Sequence, residues 1–337
     1  MDWLSQLANC QEYLAKANQL TYQHNPRELV HEYGNTRLFH YLPITEWRAA
    51  TPVLVVFATV NKAEVLDLIP QKSFIRGLLA QGLDVYLLDW GQPQQNDKTR
   101  FADYVNRYLE NHMGFIRQDA RQTHINVAGI CQGGLISVCY AATHHDVKNL
   151  VLISTPIDFY CKNNAIGNVL SRVDWSHPGM QYGNVPGDWL TQFFISLRPF
   201  ELVGKKYLHM MEKVDDPVWM DKFMRMEKWL HDSPDQPAAA FSEFVREFYQ
   251  RNQLIKGEFT IDGQCVALQN INVPTLNIAA REDVIIPPAS TQALRKYIGS
   301  DDYQYKIYPS GHIGVYVSER VGSSMTRGIS NWLIKRD

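Results

Sequence analysis

Within the 337 residues, Gly129-Ile130-Cys131-Gln132-Gly133-Gly134 has the residue types and spacing that chemistry at a carbonyl carbon needs. It follows the apolar run INVAG (125–129) and precedes a helical stretch, LISVCYAATHH. This is the nucleophile-elbow pattern G-x-S-x-G with Cys in place of Ser. Such a nucleophile sits in a strained strand-to-helix turn, where the elbow glycines Gly129, Gly133 and Gly134 let neighbouring backbone come close. The helix N-terminus beneath it offers free N–H groups and partial positive charge, which favour a thiolate and an oxyanion. The bland alternative is a buried cysteine in an ordinary glycine-rich turn.

Suitable partners follow in chain order. In α/β-hydrolases the nucleophile precedes an acid, which precedes a histidine. TLNIAA (275–280) runs into Arg281-Glu282-Asp283, and YQYKIY (303–308) runs into Pro309-Ser310-Gly311-His312-Ile313-Gly314. Asp283 lies 152 residues after Cys131, and His312 lies 29 after Asp283. Each would emerge at the carboxyl end of a parallel strand, the edge where such sheets place their sites. Gly311 and Gly314 would let a loop carry the imidazole over the thiol. Glu282 and Asp283 are adjacent, and either carboxylate could orient that imidazole. Asp89 comes before the nucleophile and reads as a turn residue. His144, His145 and His177 lack acids or cysteines at ligand spacing, so no metal site is expected. Cys139 reads as core filler, and Cys10, Cys161 and Cys265 as inert thiols.

The elements that must position these groups are short apolar runs: VLVVFAT (53–59), DVYLLD (84–89), INVAG (125–129), LVLIS (150–154), TLNIAA and YQYKIY. Runs of four to seven without strict alternation suit parallel strands covered on both faces, and helical stretches such as 73–81 separate them. The expected fold is α/β, with a mostly parallel central sheet flanked by helices. An amphipathic helix is expected over 1–26, carrying Leu4, Leu7, Leu14 and Leu20. The rhythm breaks between about 158 and 262, first in the turn-rich DWSHPGMQYGNVPGD (174–188) and then in a long helical region. There Phe241, Phe244, Val245, Phe248 and Tyr249 share one helical face. The expected organisation is a core in two parts, 1–157 and 263–337, around a helical cap or lid, 158–262.

Composition bounds the function. With 45% apolar and 12% aromatic residues, the chain can fill a large core and is not disordered. Lys and Arg number 33 against 35 Asp and Glu, a net charge of −2, so no basic surplus exists for nucleic-acid binding. The longest apolar run, 52–60, is too short to span a bilayer, which takes about 20 residues. No Lys or Arg precedes Lys16, so no secretory signal is expected. Five scattered cysteines without a C-x-x-C pair argue for a reducing cytoplasm rather than a disulfide framework.

Beyond the elbow, the sequence resembles the polyhydroxyalkanoate synthases, in particular the short class III and IV catalytic subunits, over roughly residues 30–335. The resemblance rests on GICQGG (129–134), DVYLLDWG (84–91), RMEKWLHDSPDQ (225–236), FVREFYQRNQLIKGE (244–258), DVIIPP from Asp283, and GHIGVYVS (311–318). It implies Cys131 as acyl-carrying nucleophile, His312 as general base and Asp283, rather than Glu282, as its partner. It also implies backbone N–H groups of Val60 and Gln132 as the oxyanion hole. Where the family more often has His after the acid, this chain has Val284. The implied substrate is a short-chain (R)-3-hydroxyacyl-CoA such as 3-hydroxybutyryl-CoA, with CoA leaving and no cofactor. The implied partners are a second synthase subunit, a possible second copy of the chain, and the surface of a cytoplasmic polyester granule. A Cys-dependent thioesterase or esterase would share the elbow, and a non-catalytic granule-associated paralogue would share the fold. The segment RMEKW-x-x-DSPDQ argues against the first, and joint retention of Cys131, Asp283 and His312 against the second.

Overall fold

The apolar runs become strands of one eight-stranded sheet in a computed structural model that describes residues 20–70, 73–173, 183–197 and 200–337. Its strands are β1 (Arg27–Tyr33), β2 (Thr36–Tyr41), β3 (Val53–Val56), β4 (Val85–Asp89), β5 (Ile125–Ile130), β6 (Val147–Ile153), β7 (Thr275–Ala280) and β8 (Tyr303–Tyr308). They lie in the order β1-β2-β4-β3-β5-β6-β7-β8. From β4 to β8 every pairing is parallel, and β2 runs against both β1 and β4. Central strands β3, β5 and β7 are buried along their whole length, as expected of apolar runs covered on both faces. Side chains alternate across the sheet. Leu54, Val56 and Val127 enter one core, while Val53, Val55 and Ala128 enter the other.

Helices close both faces. The first core rests on α2 (Glu110–Asp119) and α3 (Gln132–Thr143), the second on α1 (Phe74–Leu79) and α8 (Glu319–Ile334). Gly77 of α1 lies against Thr326 of α8, where an added Cβ would come within 2.5 Å of Oγ1. The close approach of these two helices requires that glycine.

Between β6 and β7 the chain leaves the sheet and builds α4 (Ala165–Leu170), α5 (Gly187–Ser196), α6 (Pro217–Leu230) and α7 (Ala238–Phe244). Asp216 caps α6 by accepting from the N–H groups of Val218 and Trp219, with Pro217 at the first helical position. α7 runs into a π-helical turn, Val245–Gln250, and all five members of the predicted apolar face are buried. Phe101, Phe159, Phe244, Phe248 and Phe259 pack ring on ring, tying this segment to the core.

The N-terminus departs from expectation. Most of the helix expected over 1–26, together with Cys10, lies outside the described residues, as does His177. Residues 20–26 are irregular, and β1 begins at Arg27. Polar anchors explain this. Tyr22 Oη donates to Asp232 at 2.9 Å, and Asn25 donates to the buried Asp67 carboxylate through its backbone N and Nδ2 at 2.7 and 2.6 Å. Pro26 also disfavours helical backbone at Asn25.

Candidate active site

Cys131 lies at the turn between β5 and α3, with φ 55° and ψ −125°. A side-chain-bearing residue rarely adopts that conformation, and it persists only where the surroundings enforce it. They do so through close contacts. A Cβ on Gly133 would lie 2.3 Å from the carbonyl oxygens of both Val56 and Phe57, and one on Gly134 would lie 1.9 Å from Thr155 Oγ1. Gly129 faces Gly134 and Ser137 in the same way, at 2.5 and 2.7 Å. The Cys131 N–H donates to Ile153 O at 2.9 Å, fastening the turn to β6. Helix α3 then starts at Gln132, with its N-terminus directed at the sulfur.

Asp283 and His312 arrive from the far end of the same sheet edge. Ladder-like bonds continue past the ends of β7 and β8, since Arg281 N donates to Tyr308 O at 2.8 Å and Glu282 N to Ser310 O at 3.0 Å. These zip the two loops together, so that His312 Nδ1 lies 2.7 Å from Asp283 Oδ2. The other carboxylate oxygen accepts from the N–H groups of Ile285 and Ile286 at 3.0 and 2.8 Å. Asp283 is thereby buried and fully occupied, whereas Glu282 is exposed. Gly314 packs against Ser310, while Gly311 has open space around its Cα, so only Gly314 is sterically required.

The imidazole is buried between Asp283 and Cys131. Burial works against its charge, but the Asp283 carboxylate and the Cys131 sulfur, both hydrogen-bonded to it, hold its pKa well above the usual 6.5. The other thiols differ. Burial pushes Cys139 far up, and burial with the nearby Asp158 charge pushes Cys161 up to about 11. Cys265 is exposed, and its Sγ donates to Gly257 O at 3.4 Å.

A narrow apolar cavity of about 50 Å³ lies over Cys131, walled by Val60, Leu190, Phe193, Phe241, Phe244 and Tyr249. A drug-sized ligand commonly occupies roughly 300–1,000 Å³, so the cover must move before a CoA thioester can enter. Val60 and the start of α3 both border this space. The Val60 N–H has no acceptor among the described residues.

Two further residues near the sulfur were not among the expected site residues. Tyr249 and Tyr316 are buried beside it. Burial and the Cys131 charge raise both phenols, with Cys161 adding to the first and Asp283 to the second. The Tyr316 hydroxyl meets no hydrogen-bond partner among the described residues. Asp89 is the turn residue expected of it, paired with Arg37 at 2.6 Å and accepting from Gly91 N. His144 ends α3 stacked on Tyr140, with ring centroids 4.1 Å apart. Among the described residues no group of three or more His, Cys, Asp or Glu is placed to hold a metal ion.

Comparison with known proteins adds a family to this geometry. A profile described as alpha/beta hydrolase fold matches residues 63–319, and one described as poly-beta-hydroxybutyrate polymerase N-terminus matches 23–78. The poly(3-hydroxyalkanoate) polymerase subunits PhaC of Thiocystis violacea and Allochromatium vinosum are each 38% identical, covering 100% of this chain and 96% of theirs. That of Synechocystis is 39% identical over 92% of this chain and 85% of its own. The similarity thus begins further towards the N-terminus than the motifs alone indicate. Among solved structures, a putative lipase from Sulfolobus solfataricus superposes with TM-score 0.59 at 16% identity, covering 92% of this chain and 93% of its own. MenH from S. aureus gives 0.56 at 16% identity, covering 89% and 99%. At such identity these two show the fold alone.

Proposed function

Because the chain belongs to the poly(3-hydroxyalkanoate) polymerase family, we propose that it builds polyester from short-chain (R)-3-hydroxyacyl-CoA through an acyl thioester on Cys131. The observation that carries this reading is the line from buried Asp283 through buried His312 to the partly buried Cys131, closed over by apolar side chains.

The Cys131 thiolate attacks the acyl carbonyl, the C–S bond to CoA breaks, and the His312 imidazolium gives its proton to the departing thiolate. One thioester replaces another, so little driving force is lost. Neutral His312 then takes the proton of an incoming 3-hydroxyl, whose oxygen attacks the acyl-Cys and expels the thiolate. An ester bond forms, and the ion pair is restored. Asp283 holds Nδ1 and stabilises each imidazolium. The N–H groups of Val60 and Gln132 face the tetrahedral oxyanion and contribute about 2.7–4 kcal/mol each if they act as oxyanion donors elsewhere do. Atoms balance with CoA as the leaving group, and no cofactor is required.

Water would divert the acyl group to free acid, so the apolar cover is part of the chemistry. Its outer surface carries exposed Trp189, Leu208 and Val218. We assign that surface to partners: a second synthase subunit, a second copy of the chain, or a polyester granule in the cytoplasm. No helix among the described residues is long and apolar enough to cross a membrane. The test is to add 3-hydroxybutyryl-CoA and follow CoA release and products together. Insoluble polyester with little free 3-hydroxybutyrate is expected; free acid as the main product would mark a thioesterase.

A further inference from the structure

The segment RMEKWLHDSPDQ has no role in the chemistry above, yet it reaches the loop that follows β3. Trp229 Nε1 donates to Lys62 O at 2.7 Å, Lys62 Nζ pairs with Asp232 at 2.7 Å, and Ser233 Oγ donates to Asn61 Oδ1 at 2.7 Å. Gln236 Nε2 donates to Thr59 O at 2.7 Å, and the Thr59 hydroxyl lies 2.7 Å from Gln236 Oε1 and 2.8 Å from Gln132 Oε1. Thr59, Gln132 and Gln236 are all buried. Of residues 59–62, only Val60 is left unanchored by this segment, and its N–H is unpaired among the described residues.

Peptide geometry turns this pattern into a mechanism. The Thr59 carbonyl and the Val60 N–H belong to one planar trans peptide, so they point in opposite directions. A hydrogen bond that fixes Thr59 O therefore also aims the Val60 N–H. Gln236 supplies that bond from the lid, and its amide is itself held by Asp235 O at 2.9 Å. The Gln132 side chain accepts from Thr59 N at 3.2 Å and joins the same peptide run to the elbow helix.

We propose that Gln236 is a positioning residue for the oxyanion hole, and that the lid root around Trp229, Ser233 and Gln236 forms the hole only when seated against residues 59–62. This rests on the acyl-Cys131 reading and deepens it. Displacing the lid root releases the Thr59–Val60 peptide, so acyl transfer is confined to the state in which the chamber is closed to water.

The experiment compares two reactions of Cys131 in the full-length chain. Acylation by 3-hydroxybutyryl-CoA needs an oxyanion hole, whereas alkylation by iodoacetamide does not. Gln236→Met should slow acylation by about 10²-fold, the scale of one lost oxyanion donor. Its KM should stay within about twofold of the parent, and alkylation should keep its rate and pH profile. A parallel loss of both reactions, or undiminished acylation, would overturn the proposal. If Gln236→Met does not fold, Ser233→Ala removes the Asn61 anchor together with the bond from Thr191 Oγ1, which keeps Leu230 O as an acceptor. A several-fold loss of acylation with normal alkylation then supports the proposal, and unchanged acylation opposes it. A parent chain that carries no acyl group on Cys131 would instead count against the proposed reaction as a whole.

Discussion

The two halves of the site are held by different kinds of contact. On the core side, Cys131, Asp283 and His312 hang from main-chain ladders: β5 against β6, and β7 against β8 extended by two further backbone bonds. On the lid side, the cover is held mainly by side chains, namely the aromatic cluster around Phe244 and Phe248 and the polar anchors of residues 229–236, with a backbone bond from Ala240 N to Thr99 O at 3.1 Å beside them. Backbone ladders tolerate no sliding, because a one-residue slip would turn every side chain to the other face. Side-chain contacts can part and re-form on the timescale of substrate entry. On the proposed reaction, the core supplies the attacking groups, while the lid aims the oxyanion hole through Gln236 and settles whether an alcohol or water completes the reaction.

Substitutions can break that division at either half. The largest effect should come from Cys131→Ala, which removes the nucleophile; CoA release should fall by about 10⁴-fold or more, as in other nucleophile knockouts. His312→Gln and Asp283→Asn should each reduce acylation by roughly 10²–10⁴-fold with the fold intact, measured by single-turnover CoA release and circular dichroism. Gly133→Ala would place a methyl 2.3 Å from two backbone oxygens that cannot easily yield. It should lower stability by about 1–3 kcal/mol in urea unfolding and slow acylation by displacing the elbow. Phe193→Ser, at the chamber wall, should leave acylation nearly unchanged while raising the share of free 3-hydroxy acid several-fold. Loss of acylation without added hydrolysis would instead give Phe193 a part in acylation rather than in excluding water.

The smallest effect is on stability against pH. The folded His312 pKa is raised by Asp283 and Cys131 against the opposing effect of burial. A raised pKa contributes stability that is full below the unfolded value of about 6.5 and is lost as pH climbs through the folded value. The urea midpoint of the parent should therefore exceed that of His312→Gln most clearly near pH 6, and the gap should narrow by about pH 9. A gap that widens with pH would contradict the ion pair.

The same contrast governs what was legible in the sequence. β7 occupies the span of TLNIAA, because a buried parallel strand is a continuous apolar run, and β8 occupies YQYKIY, a half-exposed run of mixed apolar and polar residues at the sheet edge. β3 stops at Val56, short of the run 53–59, since residues 57–59 turn away to meet α3 and Gln236. The β1–β2 hairpin carries its sign in Gly34-Asn35, but RELVHEY is too polar to announce a strand, and its bulge near Leu29 breaks the alternation. The irregular stretch 20–26 depends on Asp67 and Asp232, which no local pattern reveals. At the site, the chain order Cys131, Asp283, His312 was readable, and the structure brings the three side chains together. Choosing Asp283 over Glu282 took the family resemblance, and the structure adds the burial that separates them. Thr59 and Gln236, 177 residues apart, meet only through tertiary packing, so spacing carried no trace of them.

The central claim is a covalent acyl group on one sulfur. Brief mixing with 3-hydroxybutyryl-CoA, acid quench and mass analysis of the peptide containing Cys131 tests it directly. A hydroxybutyryl addition on Cys131, formed as fast as CoA appears and absent from Cys131→Ala, is the expected result. CoA release at the parent rate with Cys131 unmodified, or with the acyl group on another residue, would contradict it.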